Sequence, residues 1–548
     1  MTFSNPLQDP WLKVQMALCR RRLWNPFMEQ LRQPQAVQDG VLKKILQTQA
    51  STVFGKTHRF KLLRGYQEFR LEVPIHTYED LRLPIEDQEE LKEARLNKEQ
   101  PQTYALTSGT TGHPKLIPVL NGTREALSRY QWLSTYAQYR AIPAIFNGKM
   151  MVIAGAEVEG YLETGTSYGS MSGMLTAALP SVLQQKLFLP HELHEVGDYQ
   201  RKYFYLAAWA LAEPNLSVVA TANPSTFLKL LDMGRQHFPQ LVEMLASQPT
   251  ESKEDHAPLP HLSKQRLNQL LALVGHEDRM TVPELWPHLK AVVTWTGGSC
   301  GMLVPMLQAR LAPQTAIVEM GYLSSECVGS VNVDPSNNRC VPLIQEYVYE
   351  FVSQTDWEAD RPHTVTLDQL VEGQKYYVVV TTPHGLYRYF MNDLVEVTGR
   401  FHHTPTIAFV QKGKGVTNIT GEKLYEYHVM EAMEAIQKIY RILVNFYVML
   451  ADPLARQYTL FVEHAPLDAF VGYQFEKALA KSNVEFQAKR DSGRLEPIRV
   501  VYLEPGTGDA YRAHSVQQGL RDSQFKVVKL QYTKDCSFDF MKHKRNPF

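Results

Sequence analysis

Apolar residues are spaced in three different ways along this chain, and each spacing marks a different region. Between residues 10 and 50 they recur at helical intervals, with Trp11, Val14, Ala17 and Leu18 followed by Leu42, Ile45 and Leu46. A period near 3.6 predicts amphipathic helices. Pro74 to Arg95 reads as a short extended piece and then a charged helix. From Tyr104 onward the apolar residues gather into short continuous runs: KMMVIA (Lys149 to Ala154), LSVVA (Leu216 to Ala220), LKAVVTW (Leu289 to Trp295) and TAIVE (Thr315 to Glu319). Runs of this length without alternation suit strands buried on both faces. Each is followed by a loop rich in small or polar residues: Gly155-Ala156, Asn223-Pro224-Ser225, Thr296-Gly297-Gly298 and Gly321-Tyr322. A helix from Phe227 to Asp232 follows the second run. The pattern predicts an α/β domain with a mostly parallel sheet sandwiched by helices. Ligand sites in such sheets lie in the loops at the carboxyl ends of the strands. Residues 241–285 are polar and helical in spacing, and read as an insertion or a cap over one sheet face.

From Val341 the spacing changes. VYEFV (Val348 to Val352), YYVVVTT (Tyr376 to Thr382), YRYFM and LVEVTG have strand length with turns between them, which predicts antiparallel sheet or a small β-barrel over about 341–410. The stretch QKGKGVTNITG, Gln411 to Gly421, is rich in glycine and lysine and is a candidate hinge. Residues 422–548 then read as a smaller α+β module: helix (Lys423 to Lys438), strand (Arg441 to Leu450), strand (Tyr458 to Glu463), helix (Leu467 to Ser482) and strand (Pro497 to Leu503). The expected organisation is therefore a large N-terminal domain, residues 1–410, a hinge at 411–421, and a mobile C-terminal domain, 422–548, able to move as a unit.

Composition narrows the function. Lys plus Arg and Asp plus Glu are both 57 in 548 residues, so the formal net charge is zero, which argues against a general nucleic-acid binder. The clusters Arg20-Arg21-Arg22 and Lys542-His543-Lys544-Arg545 read as solvated faces or tails. Five scattered cysteines without a C-x-x-C pair argue against a disulfide framework or a zinc site. No apolar run approaches the roughly 18 residues of a membrane span, and the N-terminus lacks a signal-peptide pattern. A cytoplasmic protein without nucleic-acid or membrane partners is expected, with a monomer as the plain default.

Three loops carry candidate chemistry. Ser108-Gly109-Thr110-Thr111-Gly112 places three hydroxyls and two glycines in five residues, with Lys115 three positions on. Glycines let backbone amides approach an anion, hydroxyls add donors, and a lysine adds positive charge. The loop misses the usual phosphate-loop spacing, and an ordinary turn before a strand remains open on composition alone. Tyr322-Leu323-Ser324-Ser325-Glu326 follows the TAIVE run. An aromatic ring there can stack on a purine, and a hydroxyl with a carboxylate can hold a magnesium ion on phosphates; a capped strand-to-helix turn is the alternative. Leu386 to Val395 (LYRYFMNDLV) places Asp393 six residues after Tyr387, where its two oxygens can accept both hydroxyls of a ribose diol. The pair His402-His403 has no carboxylate or cysteine at ligand spacing and reads as a turn.

The order S-G-T-T-G-x-P-K resembles the phosphate loop of the adenylate-forming superfamily. LKKILQTQASTVFGKTHRF, TSGTTGHPKLIPV, ANPSTFLKLL, YLSSECVGS, GLYRYFMNDLVEVTG and TNITGEKLYE together resemble the auxin-responsive Gretchen Hagen family of acyl-acid amido synthetases over nearly the whole chain. Departures are Leu323, where the family carries Gly or Ala, and Asn392, where it carries Gly. The family's closing motif, Gln-His/Tyr-Lys-x-Pro-Arg, here runs Gln524-Phe525-Lys526-Val527-Val528-Lys529.

The resemblance implies that ATP adenylates a small carboxylic acid and an amine, in family practice an amino acid, then takes the acyl group. It assigns Ser108, Gly109, Thr110 and Thr111 to the phosphates, Glu326 with Ser325 to Mg²⁺, Tyr322 to adenine and Asp393 to ribose. Ser324 and Arg388 join the nucleotide-binding set. Lys526 is the catalytic lysine of the C-terminal domain, and Lys423 is a second candidate beside the hinge. The loops Gly155 to Gly173 and Ala222 to Thr226 are candidates for the acyl pocket by position. An acyl-CoA synthetase, or an inactive nucleotide-binding homologue, is the alternative reading.

Overall fold

A computed structural model describes residues 10–107, 115–194, 196, 198–247, 251–252, 257–276, 279–358, 362–413, 415–417, 419–420, 422, 424–468, 470–491, 493–518 and 525–545. The chain divides into two compact units. The first comprises Met1–Thr296, Leu307–Met391 and Val395–Ala408; the second comprises Gly297–Met306, Asn392–Leu394 and Phe409–Phe548.

The first unit contains the expected parallel sheet. Strands Lys149–Ile153, Leu216–Thr221, Ala291–Thr294 and Ala316–Glu319 lie in that order, each parallel to the next. Ala291–Thr294 is buried at every position, which is why its sequence is apolar without alternation. Hydrogen bonds run past the strand ends, from Trp295 N–H to Ala222 O at 3.1 Å and from Met320 N–H to Thr294 O at 3.1 Å. The loops after neighbouring strands therefore stay in register. The helix after the second strand spans Pro224–Gln236, longer than its apolar core alone predicts. Proline sits in its first turn and the Asn223 side chain caps the amide of Ser225. In the 241–285 region, helices Phe238–Ala246, Lys264–Leu271 and Val282–Leu285 form. The first of them packs on the helices Tyr199–Ala212 and Pro224–Gln236.

A second sheet holds the start of the glycine-rich loop. Thr103–Thr107 pairs antiparallel with Lys115–Val119, and Thr107 stands opposite Lys115. Ser167–Gly169 runs parallel on its other side. Against this the 21-residue helix Asn121–Ala141 buries Ala126, Leu127, Tyr130, Leu133 and Ala137, a helical stripe absent from the expectations above.

Three expectations need correction. The strands Thr364–Val365, Val348–Ser353, Lys375–Thr381, Tyr389–Phe401 and Thr404–Lys412 form a five-stranded sheet in that order. Among the described residues its two outer strands are not paired with each other, so it is an open sheet and not a closed barrel. Tyr389 to Met391 of YRYFM and all of LVEVTG, read as separate strands, lie in one continuous strand, Tyr389–Phe401. In the first helix, Pro10–Cys19, the buried face is Leu12, Met16 and Cys19, while Trp11, Val14 and Leu18 are exposed. Both sets have helical spacing, and only packing partners distinguish them.

The second unit is built on a four-stranded sheet, Arg499–Tyr502, Gln457–Val462, Tyr447–Asp452 and Leu530–Tyr532 in that order. Alternation along Tyr447–Asp452 sends Tyr447, Met449 and Ala451 into one core with helices Glu426–Tyr440 and Val471–Ser482. Phe446, Val448 and Leu450 enter a second core with Val501 and Phe540. The middle pair is antiparallel and the two outer pairings are parallel. No helix among the described residues is long and apolar enough to cross a membrane.

Candidate active site

In the first unit the candidate groups gather at the carboxyl ends of the parallel strands. Glu319 ends its strand and accepts three hydrogen bonds, from Thr296 N–H (2.6 Å), Thr296 Oγ1 (2.6 Å) and Gly321 N–H (2.8 Å). One carboxylate thus ties the loops that follow two adjacent strands. Sequence reading ended a strand at Glu319 and gave it no role; an acidic residue closing an apolar run beside two glycine loops was the available signal.

Tyr322 follows immediately. Its N–H donates to Ser330 Oγ at 2.8 Å and its carbonyl accepts from Ser330 N–H at 3.0 Å. A methyl group on Gly329 would stand 2.3 Å from Tyr322 Cδ1, so glycine there lets the ring lie flat against the backbone. Ser324 is engaged in its own turn: its hydroxyl lies 3.2 Å from Cys327 O and accepts from Cys327 N–H at 3.1 Å. Its hydroxyl therefore shapes the turn that presents Ser325 and Glu326.

Glu326 is buried, and the Tyr389 hydroxyl donates to its Oε1 at 3.4 Å. Its backbone carbonyl accepts from His384 Nε2 at 3.0 Å. Burial lowers the His384 imidazole to about 4, so the ring is neutral with its proton on Nε2. Lys115, the first residue of its strand, places Nζ 3.1 Å from the Tyr389 hydroxyl. The residues Ser108, Gly109, Thr110 and Thr111, expected to hold phosphates, lie outside the described residues.

Arg388 requires a correction. All five of its N–H donors are used inside the protein: Nε and Nη2 on Glu350, Nη2 also on Thr364 Oγ1, and Nη1 on the carbonyls of Arg70 and Val73. A guanidinium so occupied is framework and has no donor left for a phosphate. Sequence reading missed this because Glu350 lies in the strand Val348–Ser353, 38 positions away.

In the second unit Asp393 is almost fully buried and pairs with Lys412 Nζ, 3.5 Å from its Oδ1. Asn392 has a φ of 53°, the left-handed geometry that asparagine tolerates and the family's glycine supplies freely. Lys526 places Nζ 5.3 Å above the Phe409 ring, a cation–π contact. Lys529 is buried: its N–H donates to Glu426 Oε1 at 2.5 Å, its Nζ to Tyr447 O at 3.3 Å, and the ammonium lies 4.3 Å over the Tyr447 ring. Burial raises Glu426 to about 7 and lowers Lys529 to about 8. Lys423 lies outside the described residues, but its neighbour Glu422 is buried and organises the motif. It accepts from the amides of Ile419 and Thr420, at 2.7 and 2.8 Å, and from the Tyr458 hydroxyl at 2.5 Å.

Among the described residues no cluster of three or more His, Cys, Asp or Glu side chains is arranged for a metal. A magnesium ion carried on nucleotide phosphates needs only one or two protein carboxylates. A single buried carboxylate at a strand-end loop, as Glu326 is, fits that chemistry.

Comparison with known proteins defines the class. The chain matches the GH3 family N-terminal domain over residues 24–317, the central domain over 340–412 and the C-terminal domain over 427–535. The chain belongs to the GH3 family. Among curated proteins, an indole-3-acetic acid-amido synthetase of Arabidopsis thaliana, GH3.15, is 25% identical, with 90% of each chain covered. Another from the same plant, GH3.4, is 23% identical over 92% of this chain and 90% of its own. The solved structure of the GH3.15 acyl acid amido synthetase in complex with 2,4-DB superposes with a TM-score of 0.81 at 21% identity, covering 97% and 96% of the two chains. The resemblance read from the sequence motifs and the expected α/β class both hold.

Proposed function

We propose that the protein is an ATP-dependent acyl acid amido synthetase, a ligase that forms a carbon–nitrogen bond through an acyl adenylate. The observation that carries this reading is the match to all three domains of the GH3 family in order, with full-length relatives that are amido synthetases. The retained Glu326, Asp393 and Lys526 supply the chemistry such a reaction needs.

A carboxylate is a poor acyl donor because its leaving group would be oxide. Attack of a carboxylate oxygen on the α-phosphorus of ATP forms the acyl adenylate and expels pyrophosphate. An amine then attacks the acyl carbon, loses a proton, and releases AMP. In the first step an anion must approach a polyanion, so neutralising that repulsion is the main task. Ser108, Gly109, Thr110 and Thr111 hold the β- and γ-phosphates with hydroxyls and amides. Glu326, with Ser325, would hold Mg²⁺, which would supply positive charge to the phosphates. The Tyr322 ring stacks on adenine, and Asp393 accepts the ribose hydroxyls, exchanging its contact with Lys412 for them. Lys526 donates to the α-phosphate and the acyl oxygen, so loss of its charge costs on the order of 10²–10³ in rate. Lys423 reaches the same nucleotide from the hinge-side motif.

Residues 422–548 act as a lid that turns about 411–421 after pyrophosphate leaves, exposing the adenylate to the amine. The loops Gly155 to Gly173 and Ala222 to Thr226 select the acid. A small aryl, indolyl or aliphatic acid is the acyl substrate and an amino acid the acceptor; among the relatives, one is an indole-3-acetic acid-amido synthetase and one was solved in complex with 2,4-DB. The reaction takes place in the cytoplasm.

The test is AMP release with Mg²⁺, ATP, a panel of acids and each of the 20 amino acids, with mass spectrometry of the products. An acyl–amino acid conjugate formed with stoichiometric AMP supports the proposal. Conjugation to coenzyme A instead, or no product with any pair, contradicts it.

A further inference from the structure

A chain of three side chains joins the exit of the glycine-rich loop to the magnesium-binding carboxylate. Lys115 Nζ stands 3.1 Å from the Tyr389 hydroxyl, and that hydroxyl stands 3.4 Å from Glu326 Oε1. An ammonium has donors only, so Lys115 donates to the phenol oxygen, and the single phenol proton turns to the carboxylate. The direction of the relay is fixed: cation, hydroxyl, anion.

Each member is held. Tyr389 is 1% exposed, and its neighbour Phe390 donates its N–H to His76 O at 2.8 Å. Glu326 is 7% exposed and its carbonyl is fixed by His384. The Lys115 ammonium lies 5.3 Å from the Tyr78 ring centroid and 5.8 Å from that of Tyr389, so two aromatic faces restrain it. The Tyr78 hydroxyl accepts from Leu116 N–H at 2.7 Å, which fixes the backbone directly after Lys115.

We infer that Tyr389 is a positioning residue for adenylation: it orients the Glu326 carboxylate toward the metal and couples Lys115 to it. This rests on the proposed function. A phenol proton on one carboxylate oxygen selects one rotamer of Glu326 and directs the other oxygen to the metal. A donor polarised by a cation makes a stronger hydrogen bond than an isolated phenol. Lys115 then acts through Tyr389 and not as a phosphate ligand.

The experiment measures metal-dependent nucleotide binding, without turnover. Wild type, Tyr389→Phe, Lys115→Met and the double variant are titrated with Mn²⁺ in the presence of ATP, and free Mn²⁺ is followed by electron paramagnetic resonance. Metal-free ATP binding is measured in parallel by calorimetry. Tyr389→Phe is expected to weaken Mn²⁺ about tenfold, as for loss of a hydrogen bond to a charged group, with metal-free ATP affinity unchanged within about twofold. Lys115→Met weakens Mn²⁺ in the same direction, and the double variant is no worse than Tyr389→Phe alone, because one route carries both effects. In a Glu326→Gln background Tyr389→Phe has no further effect. Penalties that multiply in the double variant, equal loss of metal-free ATP binding, or an unmoved Tyr389→Phe overturn the inference alone. A wild type without metal-dependent nucleotide binding overturns the proposed function and this inference with it.

Discussion

Arg388 and Glu350 form a buried ion pair, with Nη2 2.8 Å from Oε1 and Nε 2.9 Å from Oε2. Their side chains are 5% and 1% exposed. The pair joins the strand Val348–Ser353 and the residue before the strand Tyr389–Phe401 to the carbonyls of Arg70 and Val73. Removing one partner leaves a buried charge without compensation, which costs ~3–5 kcal/mol. Arg388→Met and Glu350→Met are each expected to lower stability by that order. The double Arg388→Met/Glu350→Met is expected to be less damaging than the sum. Urea denaturation of the four proteins checks this, and full additivity would show that the two groups act independently.

Glu319 is expected to act on nucleotide affinity without touching nucleotide. In Glu319→Gln an amide N–H₂ must face one of the donors of Thr296 or Gly321, and a charge-assisted bond is lost. About a tenfold rise in KM for ATP is expected, with a smaller change in KM for the acid. An unchanged KM for ATP in a folded variant would remove Glu319 from the site.

The loop between Gly155 and Gly173 is closed by small residues. The Ser170 hydroxyl donates to Ala156 O at 2.8 Å and accepts from Gly173 N–H at 3.0 Å. A methyl on Gly173 would stand 2.4 Å from the carbonyl carbon of Ala156 and the nitrogen of Glu157. Gly173→Ala is therefore expected to cost ~1–3 kcal/mol by overpacking and, if this loop selects the acid, to change the ranking of acids more than KM for ATP. Steady-state kinetics across an acid panel decides that point.

Glu426 and Lys529 give stability a specific pH dependence. Burial lifts Glu426 to about 7, against an ordinary 4.5, with Lys529 and Lys526 opposing that rise. Burial lowers Lys529 to about 8 from 10.5, with Glu426 opposing the fall. The folded chain binds the Glu426 proton more tightly than the unfolded chain, so this contribution is full below pH 4.5 and is lost as pH rises through 7. The folded chain binds the Lys529 proton less tightly, so its cost is present below pH 8 and relieved toward 10.5. Glu426→Gln is expected to abolish the loss of stability between pH 4.5 and 7. Denaturation midpoints across that range test this; an identical slope in the variant would contradict it.

Local pattern carried the strands and helices because burial on two faces leaves an unbroken apolar run, as in Ala291–Thr294 and in the first five residues of Tyr447–Asp452. What pattern could not carry was pairing across long separations. Whether the strands from Val348 to Lys412 close into a barrel depends on contacts between the first and last of them, which no local spacing encodes. The Leu530–Tyr532 strand is too short to stand out before its neighbour is known. The same limit applies to the site. Motif order singled out Tyr322, Glu326 and Asp393 as candidates, but side-chain partners lie beyond the reach of a motif. Arg388 is spent on Glu350, Ser324 closes its own turn, and Lys115 meets a tyrosine 274 residues away. The role of Glu319 was out of reach for the same reason, since two of its three donors come from Thr296, 23 residues earlier.

The most direct test of the central claim is ATP–pyrophosphate exchange, measured with Mg²⁺ against aryl, indole and aliphatic carboxylic acids, beside Lys526→Ala. The account expects exchange that requires one class of acid and falls on the order of 10²–10³ in the variant. Tight ATP binding with no exchange for any acid would contradict it, and exchange equally fast in Lys526→Ala would remove that lysine from the chemistry.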